Sequence, residues 1–218
     1  GDTQKGEVMS YFFWVLLSLL LPSVLMAGAP IYGLCVDGGG SKTMLQVVNN
    51  EGTIMRLLRN GRIADCVTVG GSNINVIGKE GLRALLTDLF YDVRLHDVDG
   101  QPLLTEVMPN CQLYAGMSGL GLEANKAIAR DIFASFGIAP ACMIVKADAA
   151  MALDLLVGSG IVLIAGTGSI CFGKNYGDLL RVGGLGRVLG DEGSCYQVGY
   201  QALKAALAHE YGWGKATA

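Results

Sequence analysis

One arrangement occurs twice in the chain: an apolar run, a short glycine-rich turn, and a second apolar run. The first copy is YGLCVDGGGSKTMLQVV, residues 32–48, and the second is GIVLIAGTGSICFGKN, residues 160–175. A connection this short places two β-strands side by side as antiparallel neighbours. The repetition indicates a weak internal duplication and therefore two related domains.

Apolar spacing and turn residues extend this pattern into alternating strands and helices. The predicted strands cover 31–37, 43–49, 53–59, 111–115 and 142–147; helices follow near 78–91, at about 122–136, from Asp148, and near 193–211. Residues 60–75, rich in Gly, Ser and Asn, are predicted to form a loop. The order βββαβαβα predicts an α/β domain with a mixed sheet and helices on its faces, its first three strands being antiparallel neighbours.

We predict a first domain at residues 30–157 and the beginning of a second at 158–218, after an apolar extension at 1–29. Within this extension, MSYFFWVLLSLLLPSVLMAGA (residues 9–29) has three interpretations. It resembles a signal peptide whose n-region lacks net positive charge. As a membrane anchor it is short and has no flanking Lys/Arg cluster. The third interpretation, an upstream extension before a functional start near Met26, is favoured.

Charge and cysteine usage exclude several functional classes. The net charge of −3 and the absence of a basic stretch argue against nucleic acid as a partner. The six cysteines are widely spaced and form no CxxC motif, so we expect no zinc or iron–sulfur site. Four of them, Cys35, Cys111, Cys142 and Cys171, lie in or beside apolar runs and are expected to be reduced core thiols. The 32 glycines are about twice the usual share of ~7% and are expected in turns.

The two glycine turns have the composition of anion sites. Consecutive backbone N–H groups in such turns form a concavity, and glycine lets a phosphate approach closely. DGGGSKT and AGTGS add hydroxyl groups and one cation, from Ser41, Thr43, Thr167, Ser169 and Lys42. The alternative is two ordinary tight hairpins. Neither turn matches a P-loop or a dinucleotide-binding fingerprint.

Two segments with acidic residues complete the candidate chemistry. Asp148 ends an apolar strand and begins a helix, where a carboxylate can take a proton from a substrate hydroxyl; its alternative role is helix capping. The segment GGLGRVLGDEGS, residues 183–194, ends with Asp191 and Glu192 at a helix start. These two acids could instead complement the helix dipole.

Taken together, these segments resemble the N-acetylglucosamine kinase group of the BadF-type (BadF/BadG/BcrA/BcrD) ATPase family, within the actin/Hsp70/sugar-kinase superfamily. The resemblance covers about residues 31–212. VDGGGSKT and LIAGTGS are similar to the two phosphate hairpins of that family, and ADAA to its catalytic-aspartate segment. SNIN, at residues 72–75, and GGLGRVLGDEGS resemble its sugar-contacting loops.

The resemblance implies an actin-like ATPase fold and phosphorylation of N-acetylglucosamine at O6, with ATP and Mg²⁺ as cofactors. Asp148 would be the general base, and Asp37 would serve the Mg²⁺ shell through water. The residues implied to bind ATP phosphates are Gly39, Gly40, Ser41, Lys42, Thr43, Gly166, Thr167, Gly168 and Ser169. The residues implied to bind the amino sugar are Asn73, Asn75, Asp148, Gly184, Leu185, Gly186, Arg187 and Asp191.

The sequence departs from the family at two places. Vertebrate-type members carry an aromatic residue where this chain has Asn75, so stacking on the sugar is not expected here. The chain also stops at Ala218, before the family's adenine-binding part, which implies either a fragment or an inactive domain.

Several alternatives stay open on the sequence alone. They are a glucosamine kinase, an inactive sugar- or nucleotide-binding domain, an activator of a CoA-dependent enzyme, and a sugar-responsive regulator. The scattered cysteines argue against the activator, and the absence of a basic helix-turn-helix argues against the regulator. We expect a cytoplasmic protein without a membrane or nucleic-acid partner, and a homodimer stays open.

Overall fold

The computed structural model describes residues 32–91, 93–96, 111–154 and 159–216. The chain divides into two compact units, Gly1–Leu155 and Leu156–Ala218. The predicted extension at 1–29 and the predicted domain boundary after residue 157 lie outside the described residues.

The first unit contains eight strands and three α-helices among its described residues. In chain order they are β1 (Tyr32–Gly38), β2 (Lys42–Asn49), β3 (Arg56–Arg59), β4 (Arg62–Ala64), β5 (Val67–Gly70), α1 (Ile74–Phe90), β6 (Arg94–His96), β7 (Cys111–Met117), α2 (Glu123–Ser135), β8 (Met143–Lys146) and α3 (Asp148–Asp154). A single 3₁₀ turn, Pro140–Cys142, precedes β8. The five strands and three helices predicted for this unit are all present, and the structure adds three strands that the sequence pattern did not show, namely β4, β5 and β6.

The main sheet is five-stranded and mixed, with the order β5-β2-β1-β7-β8. Its central strand, β1, pairs antiparallel with β2 and parallel with β7, and β7 pairs parallel with β8. The first five residues of β1 are buried, as expected for a strand covered on both faces. The predicted α/β class with a mixed sheet is confirmed.

The predicted place of the third strand was wrong. The neighbour of β2 is β5, inside the segment predicted as a loop, whereas β3 belongs to a separate sheet of order β4-β3-β6. The cause is a tight turn in which Asn60 and Gly61 have φ angles of 51° and 73°. Such a turn folds β3 back onto β4 as a hairpin. Among the described residues, the segment that leads into β3 pairs with β2 only at the isolated bridge between Val48 and Ile54.

The hydrophobic core lies on the face of the sheet covered by α1 and α2. Leu82, Leu86 and Leu89 recur along one face of α1 and are fully buried. Helix α1 begins four residues before its predicted start because Asn73 caps it, and Gly78 interrupts it with a φ of 69°. The other face of the sheet carries a smaller cluster, formed by Cys35, Met44, Val48 and Tyr114.

The second unit is a three-stranded antiparallel sheet followed by one helix. Its elements are β9 (Ser159–Ala165), β10 (Ser169–Asn175), β11 (Asp178–Gly183) and α4 (Cys195–Glu210). The predicted strand–turn–strand repeat is confirmed by β9 and β10. Among the described residues 159–216, Phe172 is the one large hydrophobic residue that is buried, and the apolar side chains of β11 are exposed. No helix of the described chain is long and apolar enough to cross a membrane.

Candidate functional site

In the first unit, the candidate site lies where the parallel strands β1, β7 and β8 end. The register pairs Asp37 of β1 with Gly116 of β7, and Gly116 with Lys146 of β8. Asp148 follows β8 after one residue. Because these strands run in the same direction, their carboxyl ends share one edge of the sheet. The carboxylates of Asp37 and Asp148 are therefore brought to that edge, as ligand-binding residues are in open α/β sheets.

The position of Asp148 depends on a glycine in the neighbouring strand. A Cβ added at Gly116 would lie 3.2 Å from Cβ of Met151 and 3.6 Å from Cα of Asp148. The bare backbone of β7 thus lets the first turn of α3 lie against the sheet. The Oδ1 atom of Asp148 accepts a 2.8 Å hydrogen bond from the N–H of Ala149. Part of the predicted capping role is therefore present, and it fixes the orientation of the carboxylate.

The pKa values of both carboxylates at this edge are raised. Burial, followed by the nearby charge of Asp148, raises the pKa of Asp37 to about 6, against an ordinary value of 3.8, although Lys42 partly offsets this. Burial also raises the pKa of Asp148, while backbone N–H groups partly lower it. Perturbed carboxylate pKa values cluster at functional sites, which makes Asp37 and Asp148 candidates for such a role.

The first glycine turn connects β1 to β2 beside these acids. The N–H of Gly39 donates to the carbonyl of Lys42 at 2.8 Å and so closes the turn rather than facing a ligand. Gly40, Ser41 and Lys42 are exposed at the tip of the turn. The turn is packed tightly against the segment before α1, because a Cβ added at Gly71 would lie 2.1 Å from the carbonyl oxygen of Gly40.

Two hydroxyl groups below this turn are buried. Thr43 is fully buried and Ser72 is 1% exposed. The hydroxyl oxygens of both residues have no hydrogen-bond partner within the described chain. The Thr43 side chain therefore points into the protein rather than to the exposed tip. Ser72 lies directly beside the first strand, where a Cβ added at Gly38 would be 2.3 Å from its Oγ.

A cluster of amides adjoins the same edge at the start of α1. Asn73 caps α1 by accepting the N–H of Asn75 at 3.0 Å, and its Nδ2 donates to Oγ of Ser118 at 3.3 Å. Nδ2 of Asn125, on α2, donates to Oδ1 of Asn75 at 3.1 Å and to the carbonyl of Gly119 at 2.8 Å. The structure thus joins the two predicted sugar-binding asparagines into one hydrogen-bonded set.

In the second unit, the glycine turn between β9 and β10 is closed in a similar way. The N–H of Gly166 donates to the carbonyl of Gly168 at 2.9 Å, and Thr167 is exposed at the tip. Oδ1 of Asp191 accepts the N–H of Ser169 at 3.2 Å, and the Ser169 hydroxyl donates to the backbone carbonyl of the next acid, Glu192, at 2.8 Å. The carboxylate of Asp191 is therefore hydrogen-bonded to this turn.

The predicted sugar loop of this unit follows β11 and ends at Asp191. Gly186 and Gly190 form a β-bridge that closes a small turn, on which Leu185 and Arg187 are exposed. The guanidinium group of Arg181 donates to the carbonyls of Gly183 and Gly184. These contacts join loop and hairpin within the unit.

The sequence pattern did not indicate every residue of these clusters. The residues that it missed are Ser118, Asn125 and Arg181, and Ser72 was named only as part of the segment SNIN. Ser118 directly follows β7, which is a usable signal, because chemistry-bearing residues gather at strand ends. The role of Asn125 depends on α2 lying beside α1, and the role of Arg181 on the path of the loop after β11.

Comparison with protein families gives one match that spans most of the chain. A model of the BadF/BadG/BcrA/BcrD ATPase family matches residues 34–217. The chain is 35% identical over 179 residues to an N-acetylmuramic acid/N-acetylglucosamine kinase of Clostridium acetobutylicum. It is 30% identical over 182 residues to an N-acetyl-D-glucosamine kinase of Dictyostelium discoideum. These alignments cover 81% and 79% of this chain but 53% of each relative, so the chain spans about half the length of the curated relatives it matches.

Comparison with solved structures supports the fold. The crystal structure of a candidate N-acetylglucosamine kinase from Chromobacterium violaceum matches with a TM-score of 0.61 and 23% identity. The match covers 87% of this chain and 61% of that chain. The predicted actin-like ATPase fold is confirmed by this likeness.

Proposed function

The chain belongs to the BadF/BadG/BcrA/BcrD ATPase family, and from this premise we propose that it is the catalytic part of an ATP-dependent amino-sugar kinase. The proposed reaction transfers the γ-phosphoryl group of ATP to O6 of N-acetylglucosamine. The names of the two curated relatives, both N-acetylglucosamine kinases, support the substrate class.

The observation that carries the proposal is the pair of carboxylates beside a glycine turn. Asp37 and Asp148 come from different strand ends and meet at one edge of the sheet, next to Lys42. Two carboxylates placed side by side destabilise each other, so a purely structural role does not account for the pair. A phosphoryl-transfer site uses two such groups, one to hold a cation and one to receive a proton.

The general base in this mechanism is Asp148. Its Oδ1 is held by the N–H of Ala149, which leaves the other carboxylate oxygen to accept the proton of the sugar hydroxyl. Burial raises its pKa, so its affinity for that proton is higher than that of an ordinary aspartate. General-base help of this kind contributes about 10²–10⁴-fold to the rate.

Asp37 fits a site for Mg²⁺. Its carboxylate is half-buried with Asp148 nearby, so a cation would offset the burial and the repulsion that together raise its pKa. Within the described chain no three His, Cys, Asp or Glu side chains are grouped to bind a metal ion. One or two carboxylates, with water and phosphate oxygens completing the shell, is the usual way in which proteins hold Mg²⁺. When bound, Mg²⁺ would neutralise charge on the ATP phosphates.

The glycine turns are proposed as phosphate-binding elements, each within its own unit. In the first turn the residues are Gly39, Gly40, Ser41, Lys42 and Thr43, and the exposed ammonium group of Lys42 adds a positive charge at the tip. Because the Thr43 side chain is buried, its contribution is a backbone one. In the second turn the residues are Gly166, Thr167, Gly168 and Ser169.

The amide cluster and the loop after β11 are each proposed as sugar-binding elements, considered separately within their own units. In the first unit these residues are Asn73 and Asn75, together with Asp148. In the second unit they are Gly184, Leu185, Gly186, Arg187 and Asp191. The carboxylate of Asp191 already orders the adjoining hairpin, so its second oxygen is the one proposed to accept a sugar hydroxyl.

Measuring ADP release with a panel of amino sugars tests the proposal. The purified protein is mixed with ATP, Mg²⁺ and N-acetylglucosamine, glucosamine, N-acetylmannosamine or N-acetylmuramic acid. We expect sugar-dependent ADP release that is highest with an N-acetylated sugar, and a product whose phosphate is at O6 by ³¹P–¹H correlation. Sugar binding by equilibrium dialysis without ADP release would instead indicate a sugar-binding domain that does not catalyse the reaction.

A further inference from the structure

The amide groups of the cluster at the start of α1 have a fixed direction. The carbonyl of Gly119 can only accept, so the atom of Asn125 that contacts it at 2.8 Å must be Nδ2. That same Nδ2 contacts the side chain of Asn75 at 3.1 Å, so the atom of Asn75 involved must be its Oδ1. One backbone carbonyl thus determines the orientation of two side-chain amides in sequence.

The remaining end of the Asn75 side chain is its Nδ2, which carries two N–H groups. Asn75 is exposed, and its Nδ2 has no hydrogen-bond partner within the described chain. Asn125, by contrast, is half-buried and uses Nδ2 for both of its contacts. The cluster therefore presents a donor to the outside, and the half-buried asparagine keeps that donor from rotating away.

A second donor lies beside it. The N–H of Asn75 determines in the same way that Asn73 accepts through Oδ1 and donates through Nδ2. Oγ of Ser118 receives that bond at 3.3 Å, so the hydroxyl proton of Ser118 is directed to another acceptor. Among the described residues, the hydrogen bonds of the cluster therefore leave two donor groups unused, Nδ2 of Asn75 and the hydroxyl of Ser118.

We infer that Asn125 is a positioning residue for substrate selection, which acts by holding Asn75 with its N–H groups toward the sugar. The inference rests on the proposed function. It specifies that the substituent of the sugar facing Asn75 is a hydrogen-bond acceptor, namely a carbonyl or carboxylate oxygen. Sugars that carry such a group, as N-acetylmuramic acid carries its lactyl carboxylate, are then the preferred class over sugars with an unsubstituted amine.

The decisive variant is Asn75→Asp, because it keeps the cluster and reverses its outward polarity. The introduced carboxylate still accepts from Nδ2 of Asn125, and the backbone N–H at position 75 still donates to Asn73. Only the outward N–H groups are replaced, by an acceptor oxygen. Asn125→Ala is the complementary variant, since it leaves Asn75 in place but removes what holds it. Asn175→Asp, an exposed change at the end of β10, is the matched control for added charge.

The experiment measures KM and kcat for N-acetylglucosamine and N-acetylmuramic acid, with sugar affinity by equilibrium dialysis as a readout independent of turnover. We expect Asn75→Asp to raise KM about tenfold for the neutral sugar and about a hundredfold for the carboxylate-bearing one, with kcat nearly unchanged. Asn125→Ala should raise both KM values by a smaller factor, and Asn175→Asp should change neither.

Unchanged KM values and affinities in Asn75→Asp would overturn the inference, as would a fall in kcat with KM unaltered. If the unsubstituted protein turns over sugar while both variants behave like it, only this inference fails. If the unsubstituted protein neither binds nor phosphorylates any of these sugars, the proposed function itself fails.

Discussion

Replacing Asp37 by asparagine tests the electrostatics of the candidate site most directly. In the folded protein the pKa of Asp37 is raised to about 6 from its ordinary value of 3.8, first by burial and then by the charge of Asp148. Between these two pH values the folded state binds more protons at this position than the unfolded state does. Its contribution to the free energy of unfolding therefore falls as the pH rises from about 4 to about 6.

The magnitude follows from the gap between the two pKa values. A gap from 3.8 to about 6 corresponds to about 3 kcal/mol at 1.36 kcal/mol per pH unit. Because Asp37 is only half-buried, solvent screening lowers this, and about 1–3 kcal/mol is the expected range. Asp37→Asn should raise the free energy of unfolding by that amount at pH 7.5 and change it little at pH 4.

The assay is urea unfolding followed by far-UV circular dichroism between pH 4 and pH 8, with hydrogen exchange along β1 and β7 to assign the change to the first unit. Asp131→Asn is the matched control, because Asp131 is exposed on α2 and loses the same charge. Asp148→Asn should also raise the free energy of unfolding, since it removes a second buried charge and the repulsion that acts on Asp37.

Two results would refute this reasoning. If Asp37→Asn were no more stable than the unsubstituted protein at pH 7.5, the ionised carboxylate would not be a source of strain. If the gain were equally large at pH 4, where Asp37 is largely protonated, it would come from packing rather than from charge.

Three further outcomes are expected. Gly38→Ala should lower the free energy of unfolding by about 1–3 kcal/mol in urea titrations, because a Cβ there would lie 2.3 Å from the hydroxyl oxygen of Ser72; a neutral effect would show that Ser72 rotates away freely. Asp148→Asn should retain sugar binding by equilibrium dialysis and lose at least about 10²-fold in kcat, and normal turnover would remove it as the base. Asp191→Ala should speed hydrogen exchange at the Ser169 amide about tenfold, whereas Asp191→Asn keeps an acceptor and should leave that rate unchanged.

The elements around the glycine turns could be predicted from the sequence because their signals are local. An apolar run, a turn that only small residues allow, and a second apolar run specify a hairpin wherever they occur. The start of α3 at Asp148 was equally readable, since an acid follows a buried strand. What could not be read was the partner of β2. A turn at Asn60 and Gly61 sends β3 to another sheet, and the short run Val67–Gly70 takes its place. That exchange depends on pairing energy across the sheet, which a four-residue strand shows only weakly.

The candidate site likewise contains some residues that the sequence could indicate and others that it could not. Asp148 and the two turns stand at strand ends, so residue type and order were sufficient to select them as candidates, whereas Asp37 was selected through the family resemblance. Asn125 was not selected because a lone asparagine has no signal until its neighbours are known. Its importance comes from α2 lying beside α1, which brings Asn125 to a backbone carbonyl and to Asn75.

The two glycine turns share an electrostatic arrangement that bears on how a phosphate could bind them. In each turn the first glycine N–H is used to close the turn itself, at Gly39 and at Gly166. An acid also lies next to each turn: Asp37 precedes the first, and the carboxylate of Asp191 accepts a hydrogen bond from an N–H of the second. A phosphate that bound only the backbone amides of either turn would therefore have one hydrogen-bond donor fewer and a carboxylate nearby. Since like charges in a partly buried site repel strongly, a compensating cation is required at the first turn. Lys42 supplies one charge there, and the remaining negative charge is the physical reason to expect nucleotide affinity to fall when Mg²⁺ is removed.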